Sequence, residues 1–177
     1  MSKMGKRSSF IRKERDFYPT PYEAVIPLLP YLDRDAFCEP CAGDGLLIDH
    51  LEKHELSCKE AWDIEPKRFD IIKKDALTSS SSTNIDYFIT NPPWTRDILH
   101  PLIINLSNQR PTWLLFDADW MHTKQSREYM ERCIKIISVG RLKWIPDSKM
   151  TGKDNCCWYL FSKLKLYTDL SVKFHGR

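Results

Sequence analysis

Apolar residues along the chain fall into short runs that alternate with segments of helical spacing, a pattern that predicts a mainly parallel α/β sheet. Tyr22 to Leu32 reads as a helix interrupted near Pro27, Asp35 to Glu39 as the first strand and Leu46 to Glu55 as a helix. Lys59 to Ile64 is the second strand, and Phe69 to Lys74 holds either a helical turn or the approach to a short third strand. Thr78 to Asn84, with four consecutive serines, reads as an exposed loop with little capacity for burial. Ile85 to Thr90 is the fourth strand, a helix follows near Ile98 to Leu106, and Arg110 to Phe116 is the fifth strand. Gln125 to Cys133 carries a helical pattern and Ile134 to Val139 the sixth strand. Cys156 to Ser162 alternates less cleanly and is joined by a loop, so it reads as a seventh strand running antiparallel. No internal repeat is visible.

In such sheets ligands bind beyond the carboxyl ends of the strands, near the point where strand order reverses. Two distinctive segments lie at such ends. Phe37-Cys38-Glu39-Pro40-Cys41-Ala42-Gly43-Asp44-Gly45 runs from the first strand through a Gly-Asp-Gly turn into Leu46, Leu47, Ile48 and Leu51 at helical spacing. Glycines at 43 and 45 let the backbone reach positive φ and pass close to a ligand, and the helix start points free N–H groups at the loop. A small polar cofactor fits there, as does a plain helix cap. The spacing is neither the G-x-G-x-x-G dinucleotide fingerprint nor a triphosphate loop ending in Lys-Ser/Thr.

The second segment, Asn91-Pro92-Pro93-Trp94, directly follows Asp86 to Thr90. Two prolines lack N–H donors and fix φ, so they end the strand in a short rigid turn that presents acceptors. The Asn91 side-chain oxygen and the Pro92 carbonyl can accept both hydrogens of a planar NH2 group and so aim its nitrogen. Trp94 offers a face to a base expelled from its stack. A proline turn beside a core Trp is the plainer reading.

Together these residues resemble the class I S-adenosylmethionine-dependent methyltransferases, and within them the N6-adenine DNA methyltransferases, especially small phage-type enzymes. The resemblance spans most of the chain. It implies a Rossmann-like fold of seven mostly parallel strands with an antiparallel last strand and helices on both faces. It further implies that Glu39, Pro40, Ala42, Gly43, Asp44 and Gly45 bind the methionine part of S-adenosylmethionine, and that Asn91, Pro92, Pro93 and Trp94 form the catalytic loop. Tyr18-Pro19-Thr20-Pro21 matches the Thr-Pro element that completes the cofactor pocket, through Tyr18, Thr20 and Pro21. Trp62-Asp63-Ile64-Glu65-Pro66 matches the strand end whose acid binds the ribose, with Asp63 first and Glu65 second, beside Ile64. Lys74-Asp75-Ala76-Leu77 matches the motif whose Asp accepts from the cofactor's adenine, which assigns Asp75 and Ala76. A solvated strand-end carboxylate is the alternative for either Asp taken alone.

Composition adds less. A chain of 177 residues with 42% hydrophobic content and six tryptophans suits one globular catalytic domain, expected over residues 17–177, with no separate target-recognition domain. Residues 1–16 carry Lys3, Lys6, Arg7, Arg12, Lys13 and Arg15 against Glu14 and Asp16, and read as a flexible basic arm able to neutralise phosphates. The net charge of +3 permits a polyanionic partner without demanding one. Neither a bilayer-length apolar run nor a hydrophobic signal region is present, so a bacterial or phage-infected cytoplasm is the expected compartment. Cys38 with Cys41, and Cys156 with Cys157, invite a four-thiolate site, but buried free thiols in a reducing compartment are simpler, and no metal is expected. His50 and His54 share a helix face without a third ligand.

The loops after the fifth and sixth strands mix bases with aromatics, which suits phosphate and base contacts. Arg141, Lys143, Trp144, Lys153 and Asn155 are the candidate substrate residues, within segments that include Asp117 to His122 and Ser148 to Asn155. The expected activity is methyl transfer to adenine N6 in DNA with relaxed or short sequence recognition. Adenine in RNA, a protein glutamine amide, and a non-catalytic cofactor-binding module remain alternatives.

Overall fold

The computed structural model describes residues 18–145 and 151–163, and the backbone alone of Lys173–His175. The predicted arm of residues 1–16, and residues 148–150 of the loop after the sixth strand, lie outside them. The chain opens with α1 (Tyr22–Val25) and, past Pro27, a 3-10 turn at Leu29–Tyr31, so the expected interruption is present. There follow β1 (Ala36–Glu39), α2 (Leu46–Glu52), β2 (Ser57–Asp63), β3 (Ile72–Lys73) and β4 (Tyr87–Thr90). Then come α3 (Arg96–Ser107), β5 (Thr112–Asp117), α4 (Arg127–Met130), β6 (Cys133–Arg141), β7 (Asn155–Phe161) and β8 (Lys173–His175).

The strands join in one sheet in the order β3-β2-β1-β4-β5-β7-β6-β8. β1 pairs in parallel with both β2 and β4, and β4 with β5, whereas β7 runs antiparallel between β5 and β6. The seven-stranded, mostly parallel reading with its antiparallel seventh strand therefore holds. A short eighth strand, parallel to β6, extends the edge. Of the alternatives for Phe69 to Lys74, the strand is the one formed. The Gln125 to Cys133 pattern yields only the four residues of α4 after a 3-10 turn at Lys124–Ser126, because Cys133 and its successors pair with β7 instead.

Period-two alternation explains how the central strands are covered on both faces. Phe37, Tyr87, Ile89, Trp113, Leu115, Trp158 and Leu160 pack with α1 and α2 residues such as Val25, Leu47 and Leu51. Cys38, Phe88, Leu114, Phe116, Tyr159 and Phe161 pack on the other face with Leu99, Leu102, Ile103 and Leu106 of α3. Phe116 stacks on Tyr159 with centroids 4.3 Å apart. The six cysteines are all free. Among the described residues no group of three or more His, Cys, Asp or Glu is placed to hold a metal ion, and no helix is long and apolar enough to cross a membrane. His50 and His54 instead flank Tyr22, whose hydroxyl lies 2.8 Å from His54 Nε2.

The order reverses between β1 and β4, which opens a crevice beyond Glu39 and Thr90. Trp158 ties the far half of the sheet to the chain's start, donating from its indole Nε1 to the Ala24 carbonyl at 2.7 Å while fully buried. Trp158→Ala should therefore cost about 3–5 kcal/mol in urea unfolding. Trp158→Phe, which keeps much of the volume and orphans that carbonyl, should cost about 1–3 kcal/mol.

Candidate functional site

The glycine loop is fastened to the end of β2 from several sides. Ala42 N–H donates to the Trp62 carbonyl at 2.8 Å, Gly43 N–H to Asp63 Oδ2 at 2.8 Å, and Lys67 N–H to the Gly43 carbonyl at 2.9 Å. Gly43 and Gly45 take φ of 54° and 79°, the left-handed region that favours glycine. At Gly45 a second constraint operates, because an added Cβ would lie 2.3 Å from the Arg68 guanidinium carbon. Arg68 Nη1 bonds Asp49 of α2 at 2.7 Å and its Nε bonds Asp70 at 2.7 Å, so this arginine clips the start of α2 to the segment after β2.

These loops enclose a cavity of about 350 Å³ at the strand-order reversal. Its wall includes Tyr18 and Thr20 from the Thr-Pro element, and Glu39, Pro40, Ala42, Gly43 and Asp44 from the glycine loop. Asp63 at the end of β2, Ile64 and the runner-up acid Glu65 after it, Asp75 and Ala76, and Asn91 and Pro93 after β4 are further predicted residues on the wall. Pro21, Gly45, Pro92 and Trp94 adjoin wall residues in sequence but lie off the wall; Pro92 is buried and Trp94 half-buried. Sequence reading missed Pro19, Cys41, Leu47, Lys67, Lys74, Leu77, Ile98 and Leu102, which also line the cavity. Cys41, Lys74 and Leu77 stood inside the quoted motifs, whereas Ile98 and Leu102 follow the helical period of α3 and carry no signal of their own.

The cavity's chemistry is acidic at its base. Glu39 is 2% exposed, and its Oε2 is buried without a hydrogen-bond partner. Burial pushes its carboxyl well above the ordinary carboxylate range, Asp44 and Asp63 push it further, and Arg68 opposes them. Asp63 accepts from Glu65 N–H at 2.7 Å besides Gly43, and Asp75 accepts from Leu77 N–H at 2.9 Å. An orphaned carboxylate, two strand-end acids and a glycine loop fit a ligand that is cationic at one end and bears hydroxyls and an amine elsewhere, which is the donor pattern of S-adenosylmethionine.

Asn91 donates from Nδ2 to the Tyr18 carbonyl at 3.2 Å, which leaves Oδ1 as the acceptor of that amide. Beside it Trp94 meets Trp144 edge-on with centroids 5.9 Å apart, and Trp144 meets Tyr18 at 6.3 Å. Among the predicted substrate residues, Trp144 thus joins the catalytic-loop candidates. Arg141 pairs with Asn155 across β6 and β7 at the same end of the sheet, and Lys143 and Lys153 are exposed nearby in sequence.

No family model matches the sequence, and no curated protein does. Solved structures do match. A modification subunit, provisionally assigned to a type I restriction enzyme of Vibrio vulnificus, aligns with a TM-score of 0.60 over 90% of this chain and 47% of its own, at 12% identity. A provisionally assigned RNA methyltransferase from Pyrococcus horikoshii gives 0.55 over 89% and 92% at 18% identity. A provisionally assigned class I S-adenosylmethionine-dependent methyltransferase from Listeria monocytogenes gives 0.55 over 88% and 62% at 9% identity. The chain thus has the class I methyltransferase fold, and it spans less than two thirds of the Listeria and Vibrio chains.

Glu39 gives a pH signature in the ligand-free protein. Its folded carboxyl titrates above the ordinary value of 4.5, so between those two pH values the folded state holds more protons than the unfolded state, and stability falls as pH rises. Thermal unfolding from pH 4.5 upward should therefore show a steeper loss of Tm in the wild type than in Glu39→Gln.

Proposed function

We propose that this protein transfers a methyl group from S-adenosylmethionine to the exocyclic N6 amine of adenine in nucleic acid, with DNA the foremost substrate and sequence recognition relaxed or short. The observation that carries the reading is the Asn91 amide, turned by the Tyr18 carbonyl so that its oxygen is the free acceptor at the cavity wall. An aromatic amine donates two hydrogens in its ring plane. Asn91 Oδ1 takes one and the Pro92 carbonyl the other, and this pair aims the amine nitrogen toward the cavity.

S-adenosylmethionine, when bound, supplies a methyl group already activated on a sulfonium, so the chain's task is mainly alignment. Glu39 receives the ammonium of the methionine part, Asp63 the ribose hydroxyls, and Asp75 the adenine amine, beside Tyr18, Thr20, Pro21, Pro40, Ala42, Gly43, Asp44, Gly45, Ile64 and Ala76. No strong base is needed at the outset, because the amine becomes acidic only as the new N–C bond forms. Trp94, backed by Trp144, stacks the target ring. Arg141, Lys143, Lys153 and Asn155 contact the strand beyond it. The fold likeness to the Vibrio modification subunit supports a DNA substrate.

RNA is the second reading. The near-complete coverage of the provisionally assigned RNA methyltransferase from Pyrococcus, 92% of its length, favours it. Incubation with methyl-labelled S-adenosylmethionine and, separately, duplex DNA, single-stranded DNA, RNA or protein extract, followed by mass spectrometry, tests both. N6-methyladenine in DNA is the expected product. Label in RNA or glutamine moves the substrate, and cofactor binding without transfer to any of them overturns the enzymatic reading.

Asn91→Ala should lower turnover roughly 100-fold or more, a loss typical of a removed transition-state contact. Its affinity for S-adenosylmethionine by calorimetry should stay within about twofold of wild type, because binding common to ground and transition states is untouched.

A further inference from the structure

Glu60 lies on β2, three residues before Asp63, and is 7% exposed. Its Oε1 accepts from Ser81 Oγ at 3.0 Å, Ser82 N–H at 2.8 Å, Ser82 Oγ at 2.9 Å and Thr83 N–H at 2.8 Å. Its Oε2 accepts from the Trp62 indole at 2.8 Å and lies 3.8 Å from Lys74 Nζ. Burial alone would push this carboxyl up, but the bonds from Ser82, Thr83, Trp62 and Ser81 outweigh burial and hold it at about 2. A charge so enclosed and so fully bonded fixes what it touches.

It touches both flanks of one cavity segment. Lys74 donates to the Ser80 carbonyl at 2.7 Å and sits 3.8 Å from the Trp62 ring centroid. Asn105 of α3 donates to the carbonyls of Ala76 at 2.8 Å and Ser79 at 2.9 Å, and Gln109 to Ser79 at 3.1 Å. Asp75, Ala76 and Leu77, which line the cavity, lie between these anchors. The serine run is thus a tether for the cavity wall.

We infer that Glu60 is a positioning residue: through Lys74 and the Ser81–Thr83 tether it holds Asp75 where it meets the adenine end of the cofactor. The inference rests on the cofactor reading of the cavity. Glu60 itself lies outside the cavity, so its influence on the ligand runs through the segment it holds.

Calorimetric titration of S-adenosylmethionine into wild type, Glu60→Gln, Asp75→Asn and the double variant tests it. Glu60→Gln keeps the size and one acceptor, but it loses the charge and sets an amide N–H2 against other donors. Its binding should weaken about tenfold, as for loss of a charged hydrogen bond. The double variant should bind no more weakly than Asp75→Asn alone, a non-additivity that general loosening of the fold would not produce. Hydrogen exchange should rise over residues 74–83 and stay unchanged over residues 42–47. Unchanged binding in Glu60→Gln, or additive losses, overturns this inference alone, whereas a wild type that does not bind S-adenosylmethionine overturns the cofactor reading and this inference with it. Should Glu60→Gln fail to fold, the pair Ser81→Ala with Ser82→Ala removes two donors, keeps both backbone bonds and should give a smaller loss, about threefold.

Discussion

The Asp63 carboxylate is the fastening on which the binding side of the molecule depends. One oxygen takes the Gly43 N–H and the other the Glu65 N–H, so the loops leaving β1 and β2 become one unit. Without that bridge the left-handed glycine turn would be held by the Ala42 and Lys67 backbone bonds and by Arg68, which reaches the Gly45 carbonyl at 3.4 Å. A carboxylate offers about four lone-pair sites, and two are committed here. Two remain uncommitted, so holding the loop is compatible with the contact to vicinal hydroxyls proposed for this residue.

That fastening also sets the electrostatics. Drawing Asp63 and Asp44 close to Glu39 adds like charge to a carboxyl already desolvated, and Arg68 offsets only part of it. The ligand-free protein therefore carries an unfavourable group in the wall of the cavity. Such an arrangement contributes nothing to folding, and it favours any ligand that brings a cation to Glu39, because the ligand then restores what burial took away.

The central sheet was legible because β4, β5 and β7 are short, nearly continuous apolar runs, as strands covered on both faces must be, while the division of their successive residues between two cores emerges only in the structure. The glycine turn was legible because its residue types are required by backbone geometry, whereas the strand-end acids were singled out by the family resemblance and not by their own local pattern. Long-range bonds were not. The contact between Asn91 and the Tyr18 carbonyl spans 73 positions, and nothing local in either segment signals it. The serine run is the exposed loop that its composition indicates, but its bonds were hidden for the same reason: a carboxylate some twenty residues earlier gathers its donors. The helical pattern of Gln125 to Cys133 lost to the pairing of Cys133 with Phe161, a tertiary preference that outweighs local propensity.

Tyr18 joins the two halves of the site. Its ring meets Trp144, which meets Trp94, while its carbonyl sets the Asn91 amide and its neighbour Thr20 lines the cavity. The acceptor side is therefore assembled from three stretches far apart in sequence, around residues 18, 91–94 and 144, and only the first also belongs to the cavity's other wall. Through the one Tyr18 carbonyl an element at the start of the described chain orients a side chain at the end of β4.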